Sequence, residues 1–224
     1  ADSRADGGAP KCLCLIMSIQ TRLAKTQVRP QVRQDTVEVF ESLLRDRSQY
    51  PERAAEIDTR IRQTFAQTRS VWILDSAGFS RKTEQQGIIP ALLIIYQMRK
   101  IVTPIIAKHG GQLLKAVADN IYVTFPNADQ AVSAAGDVLD QLNAAGLSAS
   151  VGIGHGEVLV VGGRDVFGHE MNLASKLGED LAGHNEILLT TAAFANCSSN
   201  LEAEPSTVEI SGLALNVYRV LSKG

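Results

Sequence analysis

The sequence predicts an α+β fold in which helices pack on one face of a mostly antiparallel sheet. Short apolar runs typical of strands alternate with segments of helical periodicity in the order β-α-β-β-α-β, followed by further helical and strand segments. Of the 224 residues, 45% are apolar and 21% are charged, which is enough apolar material for a substantial buried core. A chain of this length is expected to form one domain with an extension.

The extension is predicted to come first. Residues 1–31 have no sustained period and are expected to be a disordered lead-in or linker. Residues 32–69 contain two segments of helical periodicity, separated at Tyr50-Pro51, and predict a helical hairpin that transmits a signal or contacts a partner subunit. The apolar faces of these helices consist of Val37, Phe40, Leu43, Leu44, Ala54, Ile57, Ile61 and Phe65. The main domain is predicted over residues 70–224.

The first half of the main domain reads as a strand, a long helix and a hairpin. Residues 71–74 form a short apolar strand that ends at Asp75. A loop is expected over residues 76–87 and a helix over residues 88–108. The stretch 112–125 has two apolar runs around Ala-Asp-Asn, which predicts a β-hairpin.

In the second half, a helix is predicted over residues 127–146 and a second hairpin over residues 148–161. A further helix is predicted over residues 171–181, followed by two strands over residues 186–189 and 215–221. The turn of the second hairpin is expected at His155-Gly156. The acidic pair Glu179-Asp180, near the end of the last helix, is interpreted as a solvated face.

Composition and charge argue against several classes of function. A net charge of −2 disfavours nonspecific nucleic-acid binding, for which a basic excess is typical. Three cysteines without a paired framework favour a reducing compartment, so a cytoplasmic location is expected. No apolar run approaches the ~18 residues of a membrane span, so no transmembrane segment is expected in this chain.

Two carboxylates are predicted to meet at one edge of the sheet. Asp75 ends a buried strand and precedes the Gly-containing turn 76–80, whose backbone amides could cradle anionic oxygens. The hairpin should run beside that strand and bring Asp119 to the same edge, where the pair could share two Mg²⁺ ions. Taken singly, each has an ordinary explanation, because an aspartate after a strand often forms a turn or caps a helix, and Asp-Asn is common in hairpin turns.

Four stretches, in order, resemble the motifs of class III adenylate and guanylate cyclases. Residues 75–80 (DSAGFS) resemble their D-x-x-G-F-[ST] signature, and residues 115–119 (KAVAD) resemble their K-x-x-G-D hairpin. Residues 151–158 (VGIGHGEV) are similar to their G-I-x-x-G-x-V strand pair. Residues 165–176 (DVFGHEMNLASK) resemble D-x-x-G-x-x-x-N-x-A-[SA]-R. One such motif would be weak support, whereas four in register are strong support.

The resemblance implies a ferredoxin-like βαββαβ core and a head-to-tail homodimer with its sites at the subunit interface. Asp75, Ser76 and Asp119 of one subunit would hold two Mg²⁺ or Mn²⁺ ions. The remaining matched positions would contact the substrate through its phosphates, purine and ribose. They are Gly78, Phe79 and Ser80 at the phosphates and, from the other subunit, Lys115 and Asp165 at the purine, Asn172 at the ribose and Lys176 at the phosphates.

The choice of purine follows from hydrogen-bond chemistry. Adenine offers ring-nitrogen acceptors and a 6-amino donor, which a lysine donor and an aspartate acceptor complement. Guanine offers a 6-oxo acceptor and a ring N–H donor, and would favour an acidic residue at position 115. Lys115 with Asp165 therefore indicates ATP as substrate and 3′,5′-cyclic AMP as product, formed by in-line attack of the ribose 3′-hydroxyl on the α-phosphate with release of pyrophosphate.

Three positions depart from the family pattern. Ala118 replaces a glycine, which costs about 1 kcal/mol if the turn needs a positive φ. Lys176 replaces an arginine, so the charge is kept while the bidentate fork is lost. Ser211 stands where a phosphate-binding lysine is common, and Arg81 or Lys82 could compensate for it.

Two functions therefore remain open. The favoured one is an adenylate cyclase, because both metal-binding aspartates and both purine-binding residues are present. The alternative is a catalytically weak cyclase-homology domain that binds nucleotide or dimerises as a regulatory module. A diguanylate cyclase is disfavoured, since no G-G-[DE]-E-F stretch occurs at the hairpin turn. The predicted N-terminal helices could couple either protein to an upstream sensor domain.

Overall fold

The computed structural model describes residues 35–198, 200–210 and 212–221, with only the backbone described at positions 80–82, 210 and 213. The predicted lead-in, residues 1–31, lies outside the described residues, as does Ser211. The predicted helical hairpin is present. Helix α1 spans Val37–Gln49, a short 3₁₀ turn follows at Pro51–Arg53, and helix α2 spans Ala54–Phe65.

Within the described residues the sheet has eight strands: β1 Ala66–Ser76, β2 Gln112–Val117, β3 Asn120–Phe125, β4 Ala149–Val161, β5 Asp165–Phe167, β6 Ile187–Thr190, β7 Ala203–Ile210 and β8 Leu213–Val220. Their order is β2-β3-β1-β4-β6-β8-β7, and β5 pairs with β4 outside this path. Only β4 and β6 run parallel among the described strands. The mostly antiparallel prediction is confirmed, and β2-β3-β1-β4 has the strand order of a ferredoxin-like core.

Five more helices complete the described chain: α3 Phe79–Gln86, α4 Ile88–Lys108, α5 Ala128–Ala144, α6 His169–Lys176 and α7 Thr191–Ala195. A single π-helical turn, Leu177–Leu181, directly follows α6. Helix α5 begins as predicted, because the side chain of Asn127 accepts a hydrogen bond from the Gln130 amide at 2.9 Å.

Helices cover both faces of the sheet rather than one. Side chains alternate along a strand, so Trp72 and Leu74 of β1 face one side while Val71 and Ile73 face the other. The first pair packs in a core with residues of α4 and α5. The second pair packs with Met171 of α6. The sequence indicated one helical layer because α6 has only a short apolar stripe.

The hairpin predicted at His155-Gly156 is wrong, since β4 runs without a turn through both residues and pairs with β1 along its length. The glycines of this strand serve close packing. A Cβ at Gly152 would lie 2.1 Å from the Ala174 carbonyl oxygen, and one at Gly154 would lie 2.5 Å from the Glu170 carbonyl oxygen. They let α6 approach the backbone of the sheet, which a side chain would prevent.

Two predicted boundaries near the site also change. The loop expected over residues 76–87 contains helix α3, which begins after Gly78 with φ +82°. The sequence of α3 is polar, so it has no apolar periodicity from which a helix could be predicted. Strand β1 begins at Ala66, well before the predicted start at position 71, because its polar first half pairs with β4. The predicted boundary between the helical hairpin and the main domain, between residues 69 and 70, remains a prediction.

Helix α4 is the one described helix with the length and apolar composition of a membrane span, by these two criteria alone. One face of the helix packs on the sheet, with Ala91, Ile95, Met98, Val102 and Ile106 buried, while only 22% of its most apolar 18-residue window is buried. Its first three turns also expose an apolar stripe of Ile88, Ile89, Leu92, Leu93 and Tyr96.

Candidate active site

The two aspartates predicted to share metal ions lie at the same edge of the sheet. Strands β1 and β3 pair antiparallel with Leu74 opposite Ile121, so Asp75 comes next to the β2–β3 turn that carries Asp119. Burial raises the pKa of Asp75 to about 6, and the negative charge of Asp119 adds to the shift. Ser76, the last residue of β1, is buried.

Two further carboxylates, Glu179 and Asp180, also raise the pKa of Asp75. They belong to the π-helical turn, and both are exposed, which confirms the interpretation of this pair as a solvated face. The backbone of the turn, in contrast, is packed against the sheet. A Cβ at Gly178 would lie 2.7 Å from the carbonyl oxygen of Ile73, so the turn packs directly on β1. Ser150, which lies opposite Asp75 in the β1–β4 pairing, donates a hydrogen bond to the Gly178 carbonyl at 2.9 Å.

Tyr122 connects these four carboxylates, Asp75, Asp119, Glu179 and Asp180 (the acidic cluster), to the predicted purine-binding residues. Its hydroxyl donates a hydrogen bond to Glu179 Oε1 at 3.0 Å. The Nζ of Lys115 lies 5.2 Å from the centroid of its ring. Burial raises the pKa of Tyr122 to about 12, and the charge of Glu179 contributes. Tyr122 was missed in the sequence, although strand alternation places it on the face opposite Ile121 and Val123.

The predicted purine pair is assembled within one subunit. Lys115 lies on β2 opposite Tyr122, after a bulge between Leu113 and Lys115. Its Nζ lies 2.8 Å from Oδ1 of Asp165, the first residue of β5. Both side chains are about two-fifths exposed, at 39% and 43%, so the pair remains accessible to a ligand.

The predicted ribose and phosphate residues lie on one face of α6. Asn172 and Lys176 are four residues apart and both are exposed. Lys176 Nζ contacts Asp180 Oδ2 at 2.7 Å, and this hydrogen bond raises the pKa of the lysine. The predicted transition-state cation is therefore held by the acidic cluster.

The predicted phosphate cradle coincides with the start of α3. Gly78, with φ +82°, is the residue before the helix, and Phe79 is its first residue. Phe79 is partly buried, and its carbonyl accepts a hydrogen bond from Thr83 at 3.0 Å. The backbone of Ser80 belongs to the first turn of α3, where free amides favour anions.

The hairpin turn does require a positive φ at position 118, so the replacement of glycine by alanine there is strained rather than harmless. Ala118 has φ +49°, in the left-handed region that favours glycine. Its carbonyl accepts a hydrogen bond from Arg99 Nη2 of α4 at 2.8 Å, which fixes the turn. Next to it, the Asn120 side-chain oxygen is buried without a hydrogen-bond partner.

The fold is that of the catalytic domains of class III nucleotide cyclases. The structure is similar to the adenylyl cyclase CyaB from Pseudomonas aeruginosa, with a TM-score of 0.61 and 22% identity over 71% of this chain and 97% of that one. It is also similar to the guanylate cyclase domain of RhGC from Catenaria anguillulae in complex with GTP, with a TM-score of 0.62 and 16% identity over 70% of this chain and 97% of that one.

A third similar structure is the catalytic core of a rhodopsin-guanylyl cyclase with converted specificity, in complex with ATPαS. Its TM-score is 0.64 at 16% identity, over 70% of this chain and 98% of that one. Adenylyl and guanylyl cyclases thus match equally well, so the fold alone does not select a purine.

Sequence comparison finds partial relatives. Uncharacterized proteins of Mycobacterium tuberculosis and Mycobacterium bovis are 31% identical over 114 residues, which is 49% of this chain and 29% of each relative. The aligned part thus covers less than a third of the length of these relatives. No family model matches the chain.

Proposed function

We propose that the protein is an adenylate cyclase that converts ATP to 3′,5′-cyclic AMP and pyrophosphate. The observation that carries the proposal is the contact of 2.8 Å between Lys115 Nζ and Asp165 Oδ1, which holds a cationic donor and an anionic acceptor side by side. Adenine presents the complementary pair along one edge, with a ring-nitrogen acceptor beside the 6-amino donor. Guanine presents a 6-oxo acceptor and an N–H donor there, in the opposite order.

The acidic cluster fits divalent cations. The charges of the other three carboxylates in the cluster act on Asp75, so the four groups lie close together. Lys176 forms an ion pair with one of them, Asp180. The unpartnered Asn120 oxygen adds a hard neutral donor. No group of three or more His, Cys, Asp or Glu ligands for one metal occurs among the described residues. Two carboxylates are sufficient for Mg²⁺, which commonly keeps water and substrate-phosphate ligands.

In this proposal Asp75 and Asp119, with Ser76 beside them, hold two Mg²⁺ or Mn²⁺ ions. Such ions would acidify the ribose 3′-hydroxyl and neutralise charge on the triphosphate. The amides at Gly78, Phe79 and Ser80 bind phosphate oxygens at the start of α3.

Asn172 and Lys176 act from the same face of α6, where their spacing of four residues places them one turn apart. Asn172 orients the ribose. Lys176 leaves Asp180 to neutralise the negative charge that develops on the phosphate in the transition state.

The proposal includes a homodimer in which each subunit supplies the metal residues of one site and the purine residues of the other. The exposed stripe of α4 supports it, because a monomer seldom exposes so many adjacent large apolar side chains. Arg99, three residues beyond Tyr96 on the same helix, donates a hydrogen bond to the hairpin turn next to Val117, which is itself 56% exposed. A second copy of the chain would cover this surface.

A weakly active nucleotide-binding module is the second candidate. It is favoured by the replacement of arginine by Lys176, which is paired with Asp180, and by the left-handed Ala118. The first candidate is preferred because both aspartates and both purine-binding residues are in place. A cytoplasmic location is also proposed, in keeping with the free thiol of Cys197. An upstream sensor domain, coupled through α1 and α2, remains part of either proposal.

The test is product formation from ATP or GTP with Mg²⁺ or Mn²⁺, with Asp75→Asn as the control that keeps the side-chain volume. We expect cyclic AMP from ATP, much less cyclic GMP from GTP, and neither from the variant. ATP binding without product under either metal would favour the second candidate. Comparable cyclic GMP formation would contradict the purine assignment.

A further inference from the structure

Helix α1 contacts the short strand that carries Asp165. The ring of Phe40 stacks on the ring of Phe167 with centroids 5.6 Å apart and an interplanar angle of 13°. Phe40 is itself held edge-on by Phe65 of α2, with centroids 5.1 Å apart. Because Phe167 ends β5, its ring links that strand to the helical hairpin.

Strand β5 is short and has few hydrogen bonds of its own, so the contact with α1 is important for holding it in place. It consists of three residues and forms a ladder with β4 alone among the described strands. Val166 is buried in the core, whereas Asp165 and Phe167 project from the opposite face. Asp165 and Phe167 therefore share one face of the strand, with the predicted purine acceptor at one end and the aromatic contact at the other.

The start of α1, within a turn of Phe40, also contacts the turn that leads into β5. The amide of Gly162 donates a hydrogen bond of 2.7 Å to the carbonyl of Asp35, just before α1. Val37 packs on the same turn, since a Cβ at Gly162 would lie 3.1 Å from its Cγ2. The two attachments of α1 thus lie on either side of Asp165.

The helical hairpin is packed against the end of β4 through a buried apolar cluster. Leu43, Ile57, Ile61 and Phe65 form a buried cluster with Val161, the last residue of β4. A displacement of α1 would therefore be transmitted to the β4–β5 turn and to Phe167 together.

We propose that Phe40 is a positioning residue for the purine-binding site: through Phe167, helix α1 sets the location of the Asp165 carboxylate. The inference rests on the proposed function, in which Asp165 accepts a hydrogen bond from the adenine amino group. Hydrogen bonds weaken steeply as distance and angle depart from ideal values, so loss of the support weakens recognition of adenine selectively. The helical segment before the sheet is then a structural part of the nucleotide site.

The experiment compares Phe40→Ala with Phe40→Leu, which retains most of the contact, and with Leu44→Ala. Leu44 lies one turn along α1 and is 46% exposed, so its loss removes apolar surface without the stack. Amide hydrogen exchange of residues 162–168 and calorimetric affinities for ATP and GTP are measured at a temperature where all variants are folded. Product formation is measured separately.

We expect Phe40→Ala to speed exchange in β5 and to weaken ATP binding about 10-fold, the scale of losing one hydrogen bond to a charged group. Binding of GTP should change much less, and Phe40→Leu and Leu44→Ala should resemble the wild type. Unchanged exchange in residues 162–168, or faster exchange with an unchanged ratio of ATP to GTP affinity, would overturn the inference. If the wild type forms no cyclic nucleotide, the proposed function fails, while exchange and affinity still decide the role of Phe40.

Discussion

Tyr122 and Glu179, which are 57 residues apart in sequence, are joined by a hydrogen bond of 3.0 Å beside Asp75. The same tyrosine ring lies beneath the ammonium group of Lys115. One side chain therefore contacts both the acidic cluster and the purine pair. In the proposed dimer these belong to two different sites, so Tyr122 is the contact through which one subunit links them.

Tyr122→Phe separates these two contacts, since it removes the hydroxyl and keeps the ring. We expect the free energy of unfolding to fall by about 1 kcal/mol, as for one hydrogen bond. The ratio of ATP to GTP turnover should stay unchanged. Tyr122→Leu also removes the ring and should raise KM for ATP about 2- to 5-fold, the scale of an exposed cation–π contact. Steady-state kinetics and urea unfolding measure both effects, and equal kinetics of the two variants would contradict this role for the ring.

The raised pKa of Asp75 predicts a pH-dependent stability. Its folded pKa of about 6 exceeds the unfolded value, so the native protein binds the proton more tightly between about pH 4 and 6. Without divalent metal, the contribution of Asp75 to stability should fall as pH rises through this window, by about 1 kcal/mol after discounting for solvent screening. Asp75→Asn should remove the dependence. Identical pH profiles of urea unfolding for both proteins would contradict the prediction.

Divalent cations should reverse this trend. They bind the ionised carboxylate, so Mn²⁺ or Mg²⁺ should raise Tm more at pH 7.5 than at pH 5. Asp75→Asn should abolish most of the shift, whereas Asp137→Asn should keep it, because Asp137 pairs with Lys108 and His109 away from the cluster. Thermal unfolding with EDTA as the reference measures the effect, and an equal metal shift in Asp75→Asn would contradict the assignment.

Ala118→Gly should stabilise the protein. Alanine in the left-handed region costs about 1 kcal/mol, and glycine removes this strain. For a chain of this size, that gain corresponds to a rise in Tm of about 2–4 °C. Ala145→Gly is a matched control, because Ala145 has φ −88° and no such strain. A lower Tm for Ala118→Gly would show that the turn is not strained.

The apolar pattern predicted the elements that place the candidate site. The hairpin and α4 were readable because their apolar residues follow periods of two and 3.6. The pairing of β1 with β3 then brought Asp75 and Asp119 together as expected. Strand β4 was misread because glycines at alternate positions resemble turn signals, although here they admit a helix.

The position of the acidic π-helical turn against β1 could not be predicted from the local sequence. Its position depends on Gly178 meeting the backbone of β1, a contact between segments more than 100 residues apart in sequence. Helix α3 was missed because it has no apolar stripe. The link between Tyr122 and Glu179 depends on the pairing of β3 with β1 and on the packing of the π-helical turn against β1, so no single stretch contains a signal for it.

Mixing two inactive variants tests most directly whether ATP is cyclised at sites shared between subunits. Asp75→Asn lacks a metal residue and Asp165→Ala lacks a purine residue, so each homodimer should be inactive. A heterodimer would keep one intact site. We predict that an equal mixture, unfolded and refolded together, regains about a quarter of wild-type cyclic AMP formation, because half of the dimers are mixed and have one working site of two. A mixture no more active than its components, beside an active wild type, would contradict the shared site, and a wild type that forms no cyclic AMP would contradict the cyclase itself.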